Sequence, residues 1–301
     1  MLAAVWRICH PAGMGKKRGL LLLAVLFAAL AGGLVWMLWH PAEPTYQGKP
    51  LSAWLNECNS WPEDTNAAAF VAFREMGTNA IPALLKIIES GDPPFERMVD
   101  KLNRMQSLVD FPVRGAWRQR SSASFALYAM GAKAKPAFPT LTNLLFEHTT
   151  SFLSAVPLAG MGSEGLPPLI AALTNQNASI RLSTALGLRW ERSDLNIVVP
   201  ALIARLNDQA GGVHHTALLA LGQLHAEPGL AVPALMNDFP GNDPLRRRLI
   251  LMALRQFGTN ANAAVPMVLE ALSDSDQTVR SQAASALERI APAAAAKAGV
   301  K

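Results

Sequence analysis

From residue 65 to the end of the chain, apolar positions recur at the three-to-four-residue spacing of helices buried along one side. A short motif rides on that rhythm: an apolar residue, Pro, any residue, an apolar residue. It reads Ile81-Pro82-Ala83-Leu84, Phe138-Pro139-Thr140-Leu141, Leu166-Pro167-Pro168-Leu169, Val199-Pro200-Ala201-Leu202, Val232-Pro233-Ala234-Leu235 and Val265-Pro266-Met267-Val268. The steps from Pro167 to Pro200, to Pro233 and to Pro266 are equal, and three equal periods mark a repeat. The step from Pro82 to Pro139 is much longer, and that from Pro139 to Pro167 slightly shorter. Pro costs no hydrogen bond at the first position of a helix, so each is predicted to open one. Two and six residues after each Pro the chain is apolar, for example Leu202 and Leu206, which gives one buried face. Four residues after each Pro come Lys86, Asn143, Ala171, Ala204, Asn237 and Glu270, a small or polar stripe predicted to face water.

A second helix is predicted before each Pro helix, with the signature Ala-Leu-x-x-apolar-Gly. It is clearest at Ala126-Leu127…Met130-Gly131 and Ala253-Leu254…Phe257-Gly258. The glycine is expected to end that helix in the left-handed conformation. Asp243-Pro244 and Asp276 offer N-caps for the sixth and seventh copies. The fourth copy departs from the pattern: Glu191 takes the apolar position and Arg192 replaces the glycine.

Two antiparallel helices per repeat, with Asp276…Val279-Arg280…Ala283-Ala284…Ala286-Leu287 and a Pro-led partner helix, resemble HEAT repeats. The pattern is most similar to the HEAT and phycobilisome-lyase-like repeat group. An apolar segment followed by the stretch YQGKPLSAWL is also similar to bacterial membrane-anchored HEAT-repeat proteins. The resemblance implies an all-α, armadillo-like α-α superhelix of about seven helix pairs. It speaks to fold and not to activity.

Before the repeats, residues 19–39 (GLLLLAVLFAALAGGLVWMLW) carry no charge. As a helix this run measures roughly 30 Å, the thickness of a hydrocarbon core. Lys16, Lys17 and Arg18 precede it, and Trp36 and Trp39 stand at its far end. The positive-inside rule then puts the flank 1–18 in the cytoplasm and the repeats outside it, in the periplasm. Two readings of the segment stand, a retained signal anchor and a signal peptide cleaved after Ala31, and both export the body. Met14 is an alternative start. Residues 40–64 read as a Pro-rich linker and a short capping helix with Leu51, Trp54 and Leu55 on one face. The solenoid is expected over 65–301.

The formal net charge is +5, which invites a nucleic-acid reading. Four of those charges (Arg7, Lys16, Lys17, Arg18) belong to the membrane flank, leaving +1 on the rest. No concentrated basic face remains for phosphates. The two cysteines, Cys9 and Cys58, flank the apolar segment and are expected on opposite sides of a membrane. They imply no disulfide framework.

No residue set reads as catalytic, cofactor-binding or metal-binding, and no small-molecule substrate is expected. Gly160-Met161-Gly162-Ser163-Glu164-Gly165 fits G-x-G-x-x-G, but a helix and not a strand precedes it, so an inter-helix turn is expected. His214 and His215 are adjacent and point about 100° apart on a helix, which keeps them from sharing a metal. The long first gap holds an insertion, predicted as an extra helix at about 91–119. Its tail, Phe111, Arg114, Trp117, Arg118 and Arg120, combines arginine with an aromatic residue, an enriched interface pair. These five are the candidate partner-binding residues.

The expected function is a non-catalytic protein-binding scaffold on the extracytoplasmic side of a bacterial membrane. One alternative is an accessory subunit joined through the transmembrane helix, where Gly32-Gly33 permits close helix contact. The enzyme alternative, a lyase-like HEAT protein, follows from the resemblance alone.

Overall fold

The computed structural model describes residues 43–58, 67–90, 115–147, 150–241 and 243–300, together with Phe27. The chain divides into a first unit, Met1–Glu43, and a second, Pro44–Lys301. The predicted anchor 19–39, its flank 1–18, the residues 91–114 of the predicted insertion, Phe111 and Arg114 lie outside the described residues, Phe27 apart. Among the described residues no helix is long and apolar enough to cross a membrane.

The second unit begins with a two-stranded hairpin, β1 (Thr45–Tyr46) and β2 (Lys49–Pro50), which the Pro-rich composition had hidden. Gln47 and Gly48 turn it, both with positive φ, as a tight two-residue hairpin loop requires. Helix α1 (Leu51–Glu57) follows and buries Leu51, Trp54 and Leu55, the three residues on the predicted capping face. The Trp54 indole donates to the Tyr46 carbonyl at 3.4 Å, and the Lys49 ammonium lies 3.9 Å from its ring. This segment covers the apolar end of the first repeat.

Seven helix pairs follow among the described residues: α2 (Ala68–Met76) with α3 (Ile81–Glu89), α4 (Gly115–Met130) with α5 (Phe138–Leu145), α6 (Ser151–Gly160) with α7 (Leu166–Ala172), α8 (Ala178–Leu188) with α9 (Leu195–Ala204), α10 (Gly211–Leu224) with α11 (Pro228–Asp238), α12 (Pro244–Phe257) with α13 (Val265–Ala271), and α14 (Gln277–Ile290) with the short α15 (Pro292–Lys297). The unit is an all-α solenoid. Each first helix from α4 onward packs directly on the next, and a single apolar core runs through every repeat.

The Pro register sets that core. Leu84, Leu141, Leu169, Leu202, Leu235 and Val268, two residues after each Pro, are fully buried. Burying one such side chain stabilises by about 2 kcal/mol. The stripe four residues after each Pro is exposed in all six copies, as its polarity predicts. At six residues after, Ile88, Leu145, Leu173 and Leu206 are buried, while Phe239 and Leu272 are half-buried.

Two local predictions need correction. Pro82, Pro139, Pro167 and Pro266 stand in the first turn of their helices, but Pro200 and Pro233 sit inside α9 and α11, which begin five residues earlier. The hydrogen bonds those prolines cannot make would go to the carbonyls of Asn196 and Gly229, both exposed to water, so the break costs little. The glycines ending the first helices have positive φ without being left-handed: Gly77 has φ 57° and ψ −147°, Gly258 φ 55° and ψ −135°. That region belongs essentially to glycine alone, and it turns the chain into a 3₁₀ segment and not straight into the next helix. Residues 115–119, the last of the predicted inserted helix, lie in α4.

Repeat four lacks the glycine and solves the turn differently. Glu191 is fully buried, and its Oε1 accepts from the backbone N–H groups of Arg192 and Ser193, both at 2.8 Å. A side chain thus supplies the capping that a glycine turn provides at Gly77, Gly131 and Gly258. The N-caps read from sequence are present: Asp243 accepts from the Leu245 N–H at 2.9 Å, and Asp276 from those of Thr278 and Val279. Asn177 caps α8 in the same way.

Candidate protein-binding face

The exposed side of the second helices follows the same register. Three residues before each Pro stand Asn79, Pro136, Glu164, Ile197, Leu230 and Ala263, all exposed. Ile197 and Leu230 are 47% and 51% exposed, so much of each apolar side chain is left in water by folding. With Pro200, Ala204 and Pro233, exposed on the same helices, they pave an apolar strip across repeats four and five. The exposed residues of α9 and α11 include no charged side chain. A cleft of about 510 Å³ opens between α11 and α13, lined by Met236, Phe239 and Met267 together with Arg247, Glu270 and Asp274. Prolines and apolar positions outside the core were visible in the sequence. The signal for Ile197 and Leu230 was the contrast with Asn79 and Glu164 at the same register.

Of the five residues singled out in the sequence, three are described. Trp117 is half exposed, and its ring stacks on Phe152 of α6 with centroids 6.1 Å apart and planes 24° apart. The Arg118 guanidinium donates to the Asn56 carbonyl at 3.0 Å and ties α4 to the capping helix. Arg120 is buried, and its guanidinium lies 5.9 Å from the Trp117 ring. Beneath this corner lies Cys58, whose thiol burial pushes up to about 11. The Gly160–Gly165 run is the turn between α6 and α7.

The strongest electrostatic feature is a row along the N-terminal ends of the first helices, with the same spacing as the later prolines: Arg181, His214, Arg247 and Arg280. Arg181 forks onto Asp208 with two bonds of 2.7 Å, and its third nitrogen donates to the carbonyls of Asn175 and Gln176. Arg247 forks onto Asp274 at 2.8 and 2.9 Å. Arg280 holds the carbonyls of Asp274 and Ser275. The arginine hydrogen bonds hold Asp208 and Asp274 below the usual carboxylate range, with burial working against them. In repeat five the fork is replaced: His214 Nε2 lies 2.8 Å from Asp238 Oδ2, and Arg246 pairs with the same carboxylate. His215 turns away toward Asp243 at 3.7 Å, so the two histidines do not converge. Among the described residues no group of three or more His, Cys, Asp or Glu could hold a metal ion.

Residues 264–294 match the HEAT repeat family. That interval contains α13 and α14 and spans close to one repeat period. Among solved structures the chain is similar to an engineered protein determined by crystallography at a structural genomics consortium. The two are 18% identical, the match covers 83% of this chain and 82% of that one, and the TM-score is 0.41. No curated protein matches the chain.

Proposed function

We propose that this chain is a HEAT-repeat protein throughout its solenoid, a non-catalytic scaffold that binds a protein partner on its second-helix face and is held to a membrane by residues 19–39, with the solenoid on the extracytoplasmic side. The observation that carries the binding part is the charge-free strip of Ile197, Pro200, Leu230 and Pro233. Exposed apolar side chains lined up along a rigid array are what a partner can desolvate, and stacked repeats hold them in place without further folding cost. The membrane part rests on the uncharged run after Lys16, Lys17 and Arg18.

The test pairs two changes with one topology measurement. Ile197→Asp with Leu230→Asp is expected to abolish partner co-purification while leaving the thermal midpoint nearly unchanged. Exchanging residues 19–39 for an unrelated anchor is expected to leave co-purification intact. The reverse pattern supports the accessory-subunit reading, in which the transmembrane helix makes the contact. Protease added to spheroplasts is expected to digest the C-terminal repeats. Protection of those repeats in intact spheroplasts contradicts the proposed side of the membrane.

A further inference from the structure

We infer that the first-helix face of repeats four to seven is a second docking groove, for an acidic amphipathic segment of a partner protein. It goes beyond the second-helix reading, because a different set of side chains forms it.

Two clefts lie next to each other there and share Gln256. One, of about 310 Å³, opens between α10 and α12, and the other, of about 430 Å³, between α12 and α14. The first exists because α10 and α12 approach at Gly222, where an added Cβ would sit 2.7 Å from the Ala253 Cα. Gly222 leaves a gap between the side chains on either side of it, and Ala253 completes a flat floor. Along one side runs an apolar row at the repeat period: Leu186, Leu219 and Met252, half-buried, half-buried and exposed.

Along the other side runs a cationic row in the last turns of the first helices: Arg255 and Arg289, continued in Arg189 just past the end of α8. Glu288 is the one carboxylate among the residues lining the two clefts. Arg189 donates to Gln223 Oε1 on α10 at 2.7 Å, and Arg255 to Ser285 Oγ on α14 at 2.9 Å. The serine hydroxyl is neutral, so it orients the Arg255 guanidinium without cancelling its charge. At the opposite helix ends, Arg181 and Arg247 are forked onto aspartates instead. Arginine in a last turn also offsets the helix dipole, but the dipole gives no reason for a parallel apolar row. A partner that fits both rows presents carboxylates on one edge and leucine-like side chains on the other. Neighbouring helix axes stand about 9 Å apart, so α8 to α14 spans roughly 27 Å, which a helix of about 18 residues covers.

The test uses the full chain in nanodiscs of zwitterionic lipid, with empty discs as the blank. The probe is a fluorescein-labelled helical peptide of about 18 residues, with leucine on one face and glutamate on the other, read by anisotropy. A second peptide replaces every glutamate by lysine, and a third replaces every leucine by serine. Only the first is expected to bind. Arg255→Glu with Arg289→Glu is expected to weaken it at least about tenfold, and Met252→Ser about threefold, with circular dichroism unchanged. Ile197→Asp with Leu230→Asp is expected to leave it unaffected, which separates this groove from the second-helix face. Equal binding of the lysine peptide or of the serine peptide overturns the proposal. So does an unchanged affinity in the Arg255/Arg289 variant.

Discussion

The two ends of the first helices carry arginines at related positions and use them in opposite ways. At the N-terminal ends, Arg181 and Arg247 are largely buried, forked onto Asp208 and Asp274, and bonded to loop carbonyls nearby in sequence. At the C-terminal ends, Arg255 meets a serine hydroxyl and Arg289 is exposed. Residue type is the same at both ends, although the N-terminal arginines keep the repeat period while one period after Arg255 stands Glu288, with Arg289 beside it. The difference is the partner: a buried carboxylate makes arginine a fastener between loop and helix, whereas a neutral partner leaves its charge for another molecule. A periodic arginine therefore says little by itself, and the residue 27 positions further on says most.

That contrast can be broken in order of expected effect. Arg247→Ala strips Asp274 of its fork and leaves a carboxylate that is only 10% exposed without its charge partner. A loss of about 3 kcal/mol is expected in urea unfolding, with faster amide exchange in repeats six and seven. A wild-type curve after this change would remove the fastener role. The acid limb of stability comes next. Asp208 and Asp274 are held below their ordinary range in the folded chain, so their contribution is complete above about pH 4 and fades as pH falls through the lowered values. Asp208→Asn with Asp274→Asn should be less stable at pH 7 and lose less on acidification. Melting temperatures from pH 7 down to pH 2.5 report this directly. A smaller effect concerns Cys58. With its thiol raised to about 11 by burial, it should resist iodoacetamide at pH 8 in the native chain and react only after denaturation, as mass spectrometry of its peptide would show. The smallest effect is expected at the exposed end, where Arg289→Ala should change stability by less than about 0.5 kcal/mol. A loss comparable to that of Arg247→Ala would mean that both rows are structural.

Much of the solenoid was legible because one residue type fixes its register. Counting from Pro82 or Pro200 gives the buried position two residues on and the exposed position four residues on in every copy, since a helix face repeats whether or not its first turn is where the proline suggests. The helix start was less legible at Pro200 and Pro233, because the segments before them form helix too and a proline there wastes only a solvent-facing carbonyl. Of the candidate binding residues, Trp117 and Arg118 are exposed and Arg120 is buried, and the pairing of arginine with an aromatic residue carries no sign of which of them the fold covers. Pairing partners such as Asp208 for Arg181 are invisible to helical periodicity. Asp208 lies 27 residues from Arg181, and the solenoid brings the two together only once its repeats stack.

The scaffold reading depends most directly on which face meets a partner. In native cells, a photo-crosslinking amino acid at Leu230 on the second-helix face can be compared with the same amino acid at Gln176, exposed in the loop between α7 and α8 and outside both clefts. One or a few discrete protein adducts are expected from Leu230, lost when Ile197 is changed to Asp, and none from Gln176. Equal crosslinking from both positions, or adducts from Leu230 that survive Ile197→Asp, would contradict it.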